Sequence, residues 1–595
     1  MAEKIVRIGG ASGFWGDSPE GARQLILSGE VDYVVFDYLA EITMSLLGRA
    51  RAKDPDAGFA PDFISDVIRP FGRVIADRGL RIIASAGGVN PLACRDAVIR
   101  ELQSQGIDLP VAAVVGDEVT GLFDELRRED VRDLDSDAAF PANASTANAY
   151  VGALPIAAAL ARGARIVITG RAADSALALG ALMHEFGWKA DDFDRLAAGS
   201  LAGHVIECGP QSTGGVFTDW RDVADGWHDI GYPIAQCRAD GSFVVTKPSG
   251  TGGLVTPPTV LEQICYETGD PANYVLPDVT CDLTEVEAEQ AGPDTVLVRG
   301  VRGKAPTDTY KVSATYQDGF RCIATLMVNG HEAPEKARAM ARAILRKVEA
   351  ILERETLGAF DDVSVEVLGS EDTYGPHASR AARREVVLKV AVRHQQKRAV
   401  DLFAREIAPA TTSMGQGTAG IMGGRPKTQP VLRLFSFLLD KRRVRLSVVD
   451  GDGEAEVEVP MEGQALPAPQ PDEDRAAVKP AGRTVTVPLL KLAYGRSGDK
   501  GDKSNIAIFP RRPEYQPILD AQLTASEVRN YLSHVVAGRV ERYSWPGIKG
   551  FNFLLHGSLG GGGVASLRYD PQGKAHAQML MGFPIEVPAE MMENA

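Results

Sequence analysis

Cysteine is scarce in this sequence, which has six cysteines among 595 residues and no CxxC pair. A small domain stapled by disulfides and the common zinc-ribbon spacings are therefore excluded. We expect reduced, mostly buried thiols, as in most cytoplasmic proteins. The six are Cys94, Cys208, Cys237, Cys265, Cys281 and Cys322.

Long apolar runs and an excess of positive charge are also missing. No stretch reaches the roughly 18 apolar residues of a membrane span, and the N-terminal MAEKIVRIGG lacks the apolar core of a signal peptide. Lys and Arg total 64 against 79 Asp and Glu, a net charge of −15, which disfavours binding to nucleic acid or to an anionic membrane. These features predict a cytoplasmic protein that binds neither nucleic acid nor membranes.

Several motifs of cofactor-dependent and metal-dependent enzymes are absent as well. The opening GGASGFWG does not match the GxGxxG of dinucleotide sites, and GxxxxGK[ST] does not occur. GxSxG and HExxH are missing, and the nine histidines are scattered without a metal-ligand pair. We therefore expect neither a cofactor nor a bound metal.

What is present is an alternation of strands and helices over residues 1–200. Short β-rich runs at 5–8, 33–36, 81–85, 111–115 and 165–169 alternate with helical patterns, of which 61–79 is the clearest. Apolar strands separated by helices are typical of a parallel sheet covered on both faces. The sequence predicts an α/β fold with a Rossmann-like, mostly parallel sheet in this region.

A turn rich in Gly, Asp, Asn or Ser follows each of these five strands, as in DYLAE (37–41), AGGVNP (86–91) and TGRAADS (169–175). Turns and helix caps need such residues in any protein, and Asp174 is placed to cap the next helix. Ligands, however, bind open α/β sheets at this same edge. Five such turns in succession favour a ligand-binding rim. Its candidate residues are Ser12, Asp37, Asn90, Arg171 and Asp174.

A glycine-rich segment, ECGPQSTGG, begins at Glu207. Consecutive glycines let backbone N–H groups approach a ligand closely, as an oxyanion hole requires, and Glu207 is a candidate acid or base. The alternative is a bulged turn with a solvated glutamate. The candidate contacts of this segment are Gln211, Thr213, Gly214 and Gly215.

The rest of the chain divides at a proline-rich stretch. Residues 201–460 mix strand and helix patterns and predict an α+β region, so that 1–460 forms one long N-terminal part. Residues 461–483 contain four prolines without apolar periodicity and predict a linker. A compact domain is expected over 484–590, with a helix at 524–536 capped by Thr524.

This last domain carries a charged glycine segment, YGRSGDKGDKSN (494–505), which we interpret as a loop. Its charges alternate in sign, which suits a solvated loop. Its cations equally suit the binding of a phosphate or carboxylate group. The candidate residues are Arg496, Lys500 and Lys503.

Together these motifs resemble those of the acyclic terpene utilisation (AtuA) family over nearly the whole length. The matching stretches include IGGASGFWGDS, DYLAE, AGGVNP, LAGHVIECGPQSTGG, KPSGTGGLV, YGRSGDKGDKSN, LGGGG and SLRYDPQGK. The family pattern GRVTD reads GRAAD here, which removes a hydroxyl. The resemblance implies a C-terminal domain with a ferredoxin-like fold. It also implies a role in degrading acyclic terpenes or branched acids, whose substrates travel as acyl-CoA thioesters.

The resulting hypothesis is an acyl-CoA-processing enzyme of the lyase or hydratase type. Glu207 and Asp174 would be catalytic, and the other candidates would bind the substrate. The alternative is a non-catalytic scaffold or carrier that binds acyl-CoA for partner enzymes. We also expect a homo-oligomer.

Overall fold

The computed structural model describes residues 4–379, 381–421 and 423–593. Residues 1–3, which belong to the N-terminal segment MAEKIVRIGG, lie outside this range. No helix in the described ranges is long and apolar enough to cross a membrane.

The largest sheet has eleven strands, and the five that the sequence predicts lie together at its centre, all parallel. Alternate residues of these strands face two separate cores, because Tyr33 and Val35 contact one cluster while Val34 and Phe36 contact the other. The prediction of a parallel α/β region is confirmed. The first six strands are β1 (Ile5–Gly10), β2 (Tyr33–Phe36), β3 (Arg81–Ala84), β4 (Val111–Val115), β5 (Ala144–Ala149) and β6 (Ile166–Thr169).

Strand β5 was not predicted, and it pairs with a different sheet. The parallel strands follow the order β1-β2-β3-β6-β4. Nine α-helices lie between residues 4 and 265 of the described chain, and they pack on both faces of the sheet. They are α1 (Glu20–Ser28), α2 (Glu41–Lys53), α3 (Arg69–Arg78), α4 (Pro91–Ser104), α5 (Phe123–Arg128), α6 (Leu154–Ala161), α7 (Ala176–Phe186), α8 (Phe193–Ile206) and α9 (Pro257–Cys265).

The helix predicted over 61–79 exists but changes type along its length. Its first part, Phe63–Ile68, is a π-helix, and α3 continues it to the predicted stop at Gly79, where φ is +67°. Pro70 explains the change, because proline has no N–H for the carbonyl four residues earlier and its ring crowds that carbonyl.

Antiparallel strands extend the large sheet on the β1 side. β7 pairs with β1, and β8, β12 and β11 follow outward. A small three-stranded sheet of β9, β10 and β13 lies apart. These strands are β7 (Ile234–Arg238), β8 (Phe243–Thr246), β9 (Tyr274–Val275), β10 (Thr280–Asp282), β11 (Glu287–Gly292), β12 (Thr295–Arg299) and β13 (Arg302–Lys304).

A second sheet is built around one long strand, β14, which pairs with β16, β17, β18 and β5, while β15 pairs with β16. Helices α10 and α11 cover it with apolar side chains such as Ile344 and Phe403, which confirms the predicted α+β character. Strand β19 returns to the large sheet beside β4, with β20 at the edge. The elements are β14 (Thr309–Asn329), α10 (Ala333–Arg354), β15 (Asp362–Leu368), β16 (Glu385–His394), α11 (Lys397–Glu406), α12 (Ala410–Ser413), β17 (Thr418–Ile421), β18 (Gln429–Asp440), β19 (Leu446–Asp450) and β20 (Gly453–Val457).

The segment 461–483 contains no helix or longer strand, only a single bridge at Gln464. A small α+β domain follows it, with a four-stranded antiparallel sheet in the order β22-β23-β25-β24. Its elements are β21 (Thr484–Pro488), β22 (Ala493–Lys500), β23 (Lys503–Pro510), α13 (Gln516–Gln522), α14 (Ala525–Tyr531), β24 (Val540–Trp545), β25 (Gly550–Leu555), α15 (His576–Leu580), β26 (Pro584–Pro588) and α16 (Ala589–Glu593).

The sequence predictions for this domain are corrected at the charged glycine segment and in the length of α14, and confirmed at the cap of α14. The charged glycine segment is not a loop but a β-hairpin, because β22 and β23 pair from Ala493 to Lys500 and turn only at Gly501 and Asp502. Thr524 caps α14 as predicted, since its Oγ accepts the N–H of Glu527 at 3.2 Å. The helix is shorter than predicted and ends at Tyr531.

The C-terminal domain is docked firmly on the N-terminal region. Trp545 is fully buried, and its indole N–H donates to the Leu283 carbonyl at 2.6 Å. The buried Asn505 side chain donates to the Cys265 carbonyl at 2.9 Å. Arg511 forms two bonds of 2.6 Å to the Asp219 carboxylate. This contact brings the hairpin to the rim of the large sheet.

Candidate functional site

The carboxyl ends of the parallel strands form the rim, and Asp37 follows β2 there. Its Oδ1 accepts the Ser85 hydroxyl at 3.0 Å, and Ser12 Oγ donates to the Asp37 carbonyl at 3.0 Å. Burial is the main reason that the pKa of Asp37 lies well above its ordinary value, and the nearby Asp174 and Glu207 raise it further. Asp37 therefore holds its proton more strongly than an ordinary aspartate does.

Arg171 and Asp174 follow β6 and form an ion pair of 3.0 Å. Helix α7 begins after Ser175, whose side chain makes no capping hydrogen bond, and the cap predicted for Asp174 stays a prediction. The Arg171 guanidinium is buried and lies 4.1 Å from the centre of the Tyr150 ring. Asp117, which follows β4, accepts the Arg171 N–H at 2.8 Å and fixes this turn.

Glu207 ends α8 beside His204, whose Nδ1 lies 2.9 Å from Glu207 Oε1. Burial raises the pKa of Glu207 to about 7, and Asp174 adds to this while His204 opposes it. Burial lowers the pKa of His204, but the Glu207 carboxylate outweighs this, so the net pKa is raised. His204 is 2% exposed, and its Nε2 has no hydrogen-bond partner within the described ranges. His204 thus contacts Glu207 through Nδ1 and has Nε2 left for another contact.

The first glycine-rich turn packs directly on this pair. A Cβ at Gly10 would lie 2.0 Å from the Ile206 carbonyl oxygen, and one at Gly13 would lie 2.9 Å from the Cys208 carbonyl carbon. Only glycine permits this approach. It places Ser12 of the β1 turn beside the end of α8, so the turns after β1, β2 and β6 meet at Glu207.

The second glycine segment has a different role from the one predicted. Residues Gly209–Thr213 form a 3₁₀ helix. The N–H groups of Gly214 and Gly215 donate to the carbonyls of Gln211 and Pro210, at 3.4 and 2.8 Å. Both groups are used within the turn, so the predicted oxyanion hole at these glycines is wrong. Thr213 Oγ donates to the Gly231 carbonyl at 2.5 Å and also serves the turn.

The hairpin of the C-terminal domain closes one side of this site. Arg496 is buried, donates to the Gln211 side chain, and binds the Val216 carbonyl at 3.2 Å. Lys503 pairs with Asp135 at 2.7 Å. The side chain of Lys500 remains 45% exposed at the edge of the site. Of the three cations predicted to bind an anion, Lys500 is the one whose charge acts on the His204–Glu207 pair.

Asn90 lies apart from this cluster. Its side-chain amide donates to the carbonyls of Pro55 and Ala57, both at 2.9 Å, and holds the segment after α2. The structure therefore brings together Ser12, Asp37, Arg171, Asp174 and Glu207, joins Gln211 to Arg496, and leaves Asn90 and Lys503 elsewhere.

Sequence reasoning missed His204, Tyr266, Glu267 and Lys574. Tyr266 is buried with two cations over its ring, Arg496 at 4.7 Å and Lys574 at 4.4 Å. Burial and the neighbouring Glu267 raise the pKa of Tyr266 well above its ordinary value. His204 and Lys574 lie within the matching stretches LAGHVIECGPQSTGG and SLRYDPQGK but were not singled out there, and neither stretch contains Tyr266 or Glu267. The four residues meet only because the two domains are docked.

The donor set does not outline a metal centre. Across residues 4–379, 381–421 and 423–593, no three His, Cys, Asp or Glu side chains are grouped to hold an ion. All six cysteines are free, and five are buried. The arrangement instead supports proton transfer, because Glu207, whose pKa burial raises to about 7, lies beside His204 and interacts with Asp37, whose pKa is also raised.

Two family models match the chain. The model described as acyclic terpene utilisation family protein AtuA matches residues 6–449, and that described as the AtuA ferredoxin-like domain matches residues 487–586. No curated protein and no solved structure matches. Since the first model alone covers more than half of the chain, the protein belongs to the acyclic terpene utilisation family. Its C-terminal domain is ferredoxin-like, and the resemblance seen in the sequence is confirmed.

Proposed function

We propose that this member of the acyclic terpene utilisation family is an enzyme that acts on an acyl-CoA thioester, as a lyase or hydratase. The family supplies the context of acyclic terpene utilisation, and degradation of branched acids is part of the proposal. The buried His204–Glu207 pair is the observation that carries the chemistry. A carboxylate with a pKa of about 7 takes up and returns a proton at neutral pH with little loss of driving force.

The rim offers an acid to accompany this base. In a hydration, the oxygen of a water molecule would add to the β-carbon of an enoyl thioester. Glu207 would take a proton from that water as the bond forms. Asp37, whose raised pKa favours its protonated form, would deliver a proton to the α-carbon, and elimination would run the same steps in reverse. The proton that Glu207 gains and the proton that Asp37 gives up leave the total charge of the cluster unchanged, while Arg171 would neutralise Asp174 throughout.

Substrate binding is proposed to use Ser12 and the half-exposed Lys500. With the Gly214 and Gly215 N–H groups already bonded, the thioester oxygen needs another donor. His204 Nε2 is buried at the site without a partner in the described part of the chain, and it suits that role when protonated. Lys500 is placed to attract the anionic end of CoA.

The first experiment identifies the ligand. The purified protein is denatured, and the released small molecules are examined by mass spectrometry, where an acyl-CoA supports the proposal. The protein is then incubated in D₂O with saturated and α,β-unsaturated branched acyl-CoA esters. Wild type should add water or exchange an α-proton. Glu207→Gln should do neither, and unchanged turnover by this variant contradicts the proposal.

One observation favours the non-catalytic alternative, a scaffold for partner enzymes. Trp220 and Trp227 stack at 6.0 Å and are 45% and 48% exposed, which is unusual for tryptophan on a surface that meets only water. A scaffold predicts that Trp227→Ser abolishes co-purification of partner enzymes while acyl-CoA binding stays intact. An enzyme predicts that turnover depends on Glu207 and not on Trp227.

The expected homo-oligomeric state also stays a prediction, which light scattering can test.

A further inference from the structure

Glu267 follows α9 at the boundary between the two domains. Its backbone is left-handed, with φ at +57°. Residues other than glycine, asparagine and aspartate rarely adopt this conformation, and they keep it only where surrounding contacts hold it.

The C-terminal domain supplies them. The N–H of Glu267 donates to the side chain of the fully buried Asn505 at 3.1 Å. Lys574 Nζ lies 3.6 Å from Oε1, and Lys500 Nζ lies 4.0 Å from Oε2. A Cβ at position 498 would lie 2.7 Å from Glu267 Cγ, so Gly498 lets the hairpin come this close. Four residues of one domain thus fix the backbone and the carboxylate of a residue in the other.

Helix α9, which ends two residues before Glu267, is bonded to the His204–Glu207 pair, because the Gln263 amide donates to the His204 carbonyl at 3.0 Å. The Glu267 carboxylate is thereby brought within electrostatic reach of His204 and Glu207. Its negative charge raises the pKa of His204 and that of Glu207, whereas the positive charge of Lys500 lowers the pKa of His204. Other charged and titratable groups surround the pair from separate elements. They are Asp37 after β2, Arg171 and Asp174 after β6, Cys208 after α8, Tyr266 after α9 and Tyr274 on β9.

We propose that Glu267 is a positioning residue for the His204–Glu207 pair, held in a strained conformation by the C-terminal domain, so that the site is complete only when the two domains are docked. The proposal rests on the proposed function for its catalytic meaning. It differs in what it predicts, because Glu267 would act on His204 through its charge and would not itself contact the substrate or the reacting atoms.

The test measures the titration of His204 in the full-length protein, without substrate. Histidine labelled with ¹³C at Cε1 is observed by NMR, and the His204 signal is the one lost in His204→Gln. Glu267→Gln should lower the pKa of His204, and Lys500→Met should raise it, as expected for loss of one neighbouring charge. The matched control is Lys503→Met, on the same hairpin, whose partner is Asp135. It should leave this pKa unchanged.

A second variant separates position from folding. Glu267→Gly relieves the left-handed backbone, so its melting temperature should equal or exceed that of wild type, while the pKa of His204 falls as in Glu267→Gln. An unchanged pKa in both Glu267 variants, or a shift in the same direction as in Lys500→Met, overturns the proposal.

Kinetics then connect this result to function. Where turnover of an acyl-CoA is found, the pH profile of kcat/KM should move to lower pH in Glu267→Gln, and an unmoved profile counts against the proposal. Where no acyl-CoA is turned over, the proposed function fails, and the NMR titration alone still decides whether Glu267 sets the protonation of His204.

Discussion

A buried carboxyl group under the domain contact permits a sharp test of the electrostatics. Glu262 lies on α9, is almost fully buried, and accepts the Thr218 N–H at 3.2 and 3.3 Å with its two oxygens. Burial raises its pKa from 4.5 to about 7, against the opposing effect of Thr218 and of the Arg496 charge. Glu262 lies outside the proposed catalytic cluster, so its substitution examines burial alone.

The sign and size of the Glu262 contribution to the free energy of unfolding follow from proton linkage. The folded protein holds the Glu262 proton more tightly than the unfolded chain, so its stabilising contribution is complete below pH 4.5 and is lost as the pH rises through about 7. The loss amounts to about 3 kcal/mol at about pH 8. Glu262→Gln has no charge to bury. We expect it to be nearly as stable as wild type at about pH 4.5 and more stable by about 3 kcal/mol at about pH 8.

The assay is thermal unfolding at these two pH values. If the whole chain unfolds as one unit, about 3 kcal/mol raises the melting temperature by about 2 °C, and by more if the N-terminal region unfolds alone. A variant that melts below wild type at the higher pH refutes the reasoning. The same difference between variant and wild type at both pH values refutes it too, because that result shows no ionisation linked to folding.

Glu207→Gln provides the comparison that separates burial from catalysis. In the wild type, burial raises the pKa of Glu207 to about 7 as well. The Gln variant should therefore also gain stability relative to wild type as the pH rises. Only Glu207→Gln should abolish turnover, whereas Glu262→Gln should retain it. Loss of turnover in both variants assigns the effect to the interface and not to proton transfer.

Three further outcomes are expected. Asp174→Asn should reduce turnover far more than it reduces melting temperature, and equal loss of both contradicts a role in the site. Trp545→Ala should cost about 3–5 kcal/mol and expose the domain contact to proteases, since Trp545 is fully buried there. Limited proteolysis of wild type should cut first within 461–483 and leave two compact fragments. First cuts inside residues 20–200 contradict the predicted boundary.

The parallel core was predictable because its signals are local. Each central strand is a short apolar run, and each is followed by a turn whose glycines and acids mark the carboxyl end. Parallel strands bring those ends to one edge, so Asp37 and Asp174, which are 137 positions apart in the sequence, could be expected to meet. The charges of Asp37 and Asp174 do interact in the structure.

The other half of the site gave no such signal. The segment 494–505 is rich in Gly, Asp and Lys, which disfavour strands, yet it forms β22 and β23 because pairing with β25 and burial against α9 outweigh propensity. His204 lies within an apolar helix pattern that predicts only a core position. Glu267 depends on contacts with residues more than 200 positions later, which no local pattern encodes.

The two halves are linked by the physics of burial. Burial is the largest cause of the raised pKa of Asp37 and of Glu207. Part of the cover over this region comes from the C-terminal hairpin, through Arg496 on Gln211 and Gly498 on Glu267. Water admitted by undocking would solvate both carboxyl groups and return their pKa values toward the ordinary range. A Glu207 ionised at all pH values above about 5 is a weaker base, so docking of the small domain sets the proton affinity on which the proposed chemistry depends.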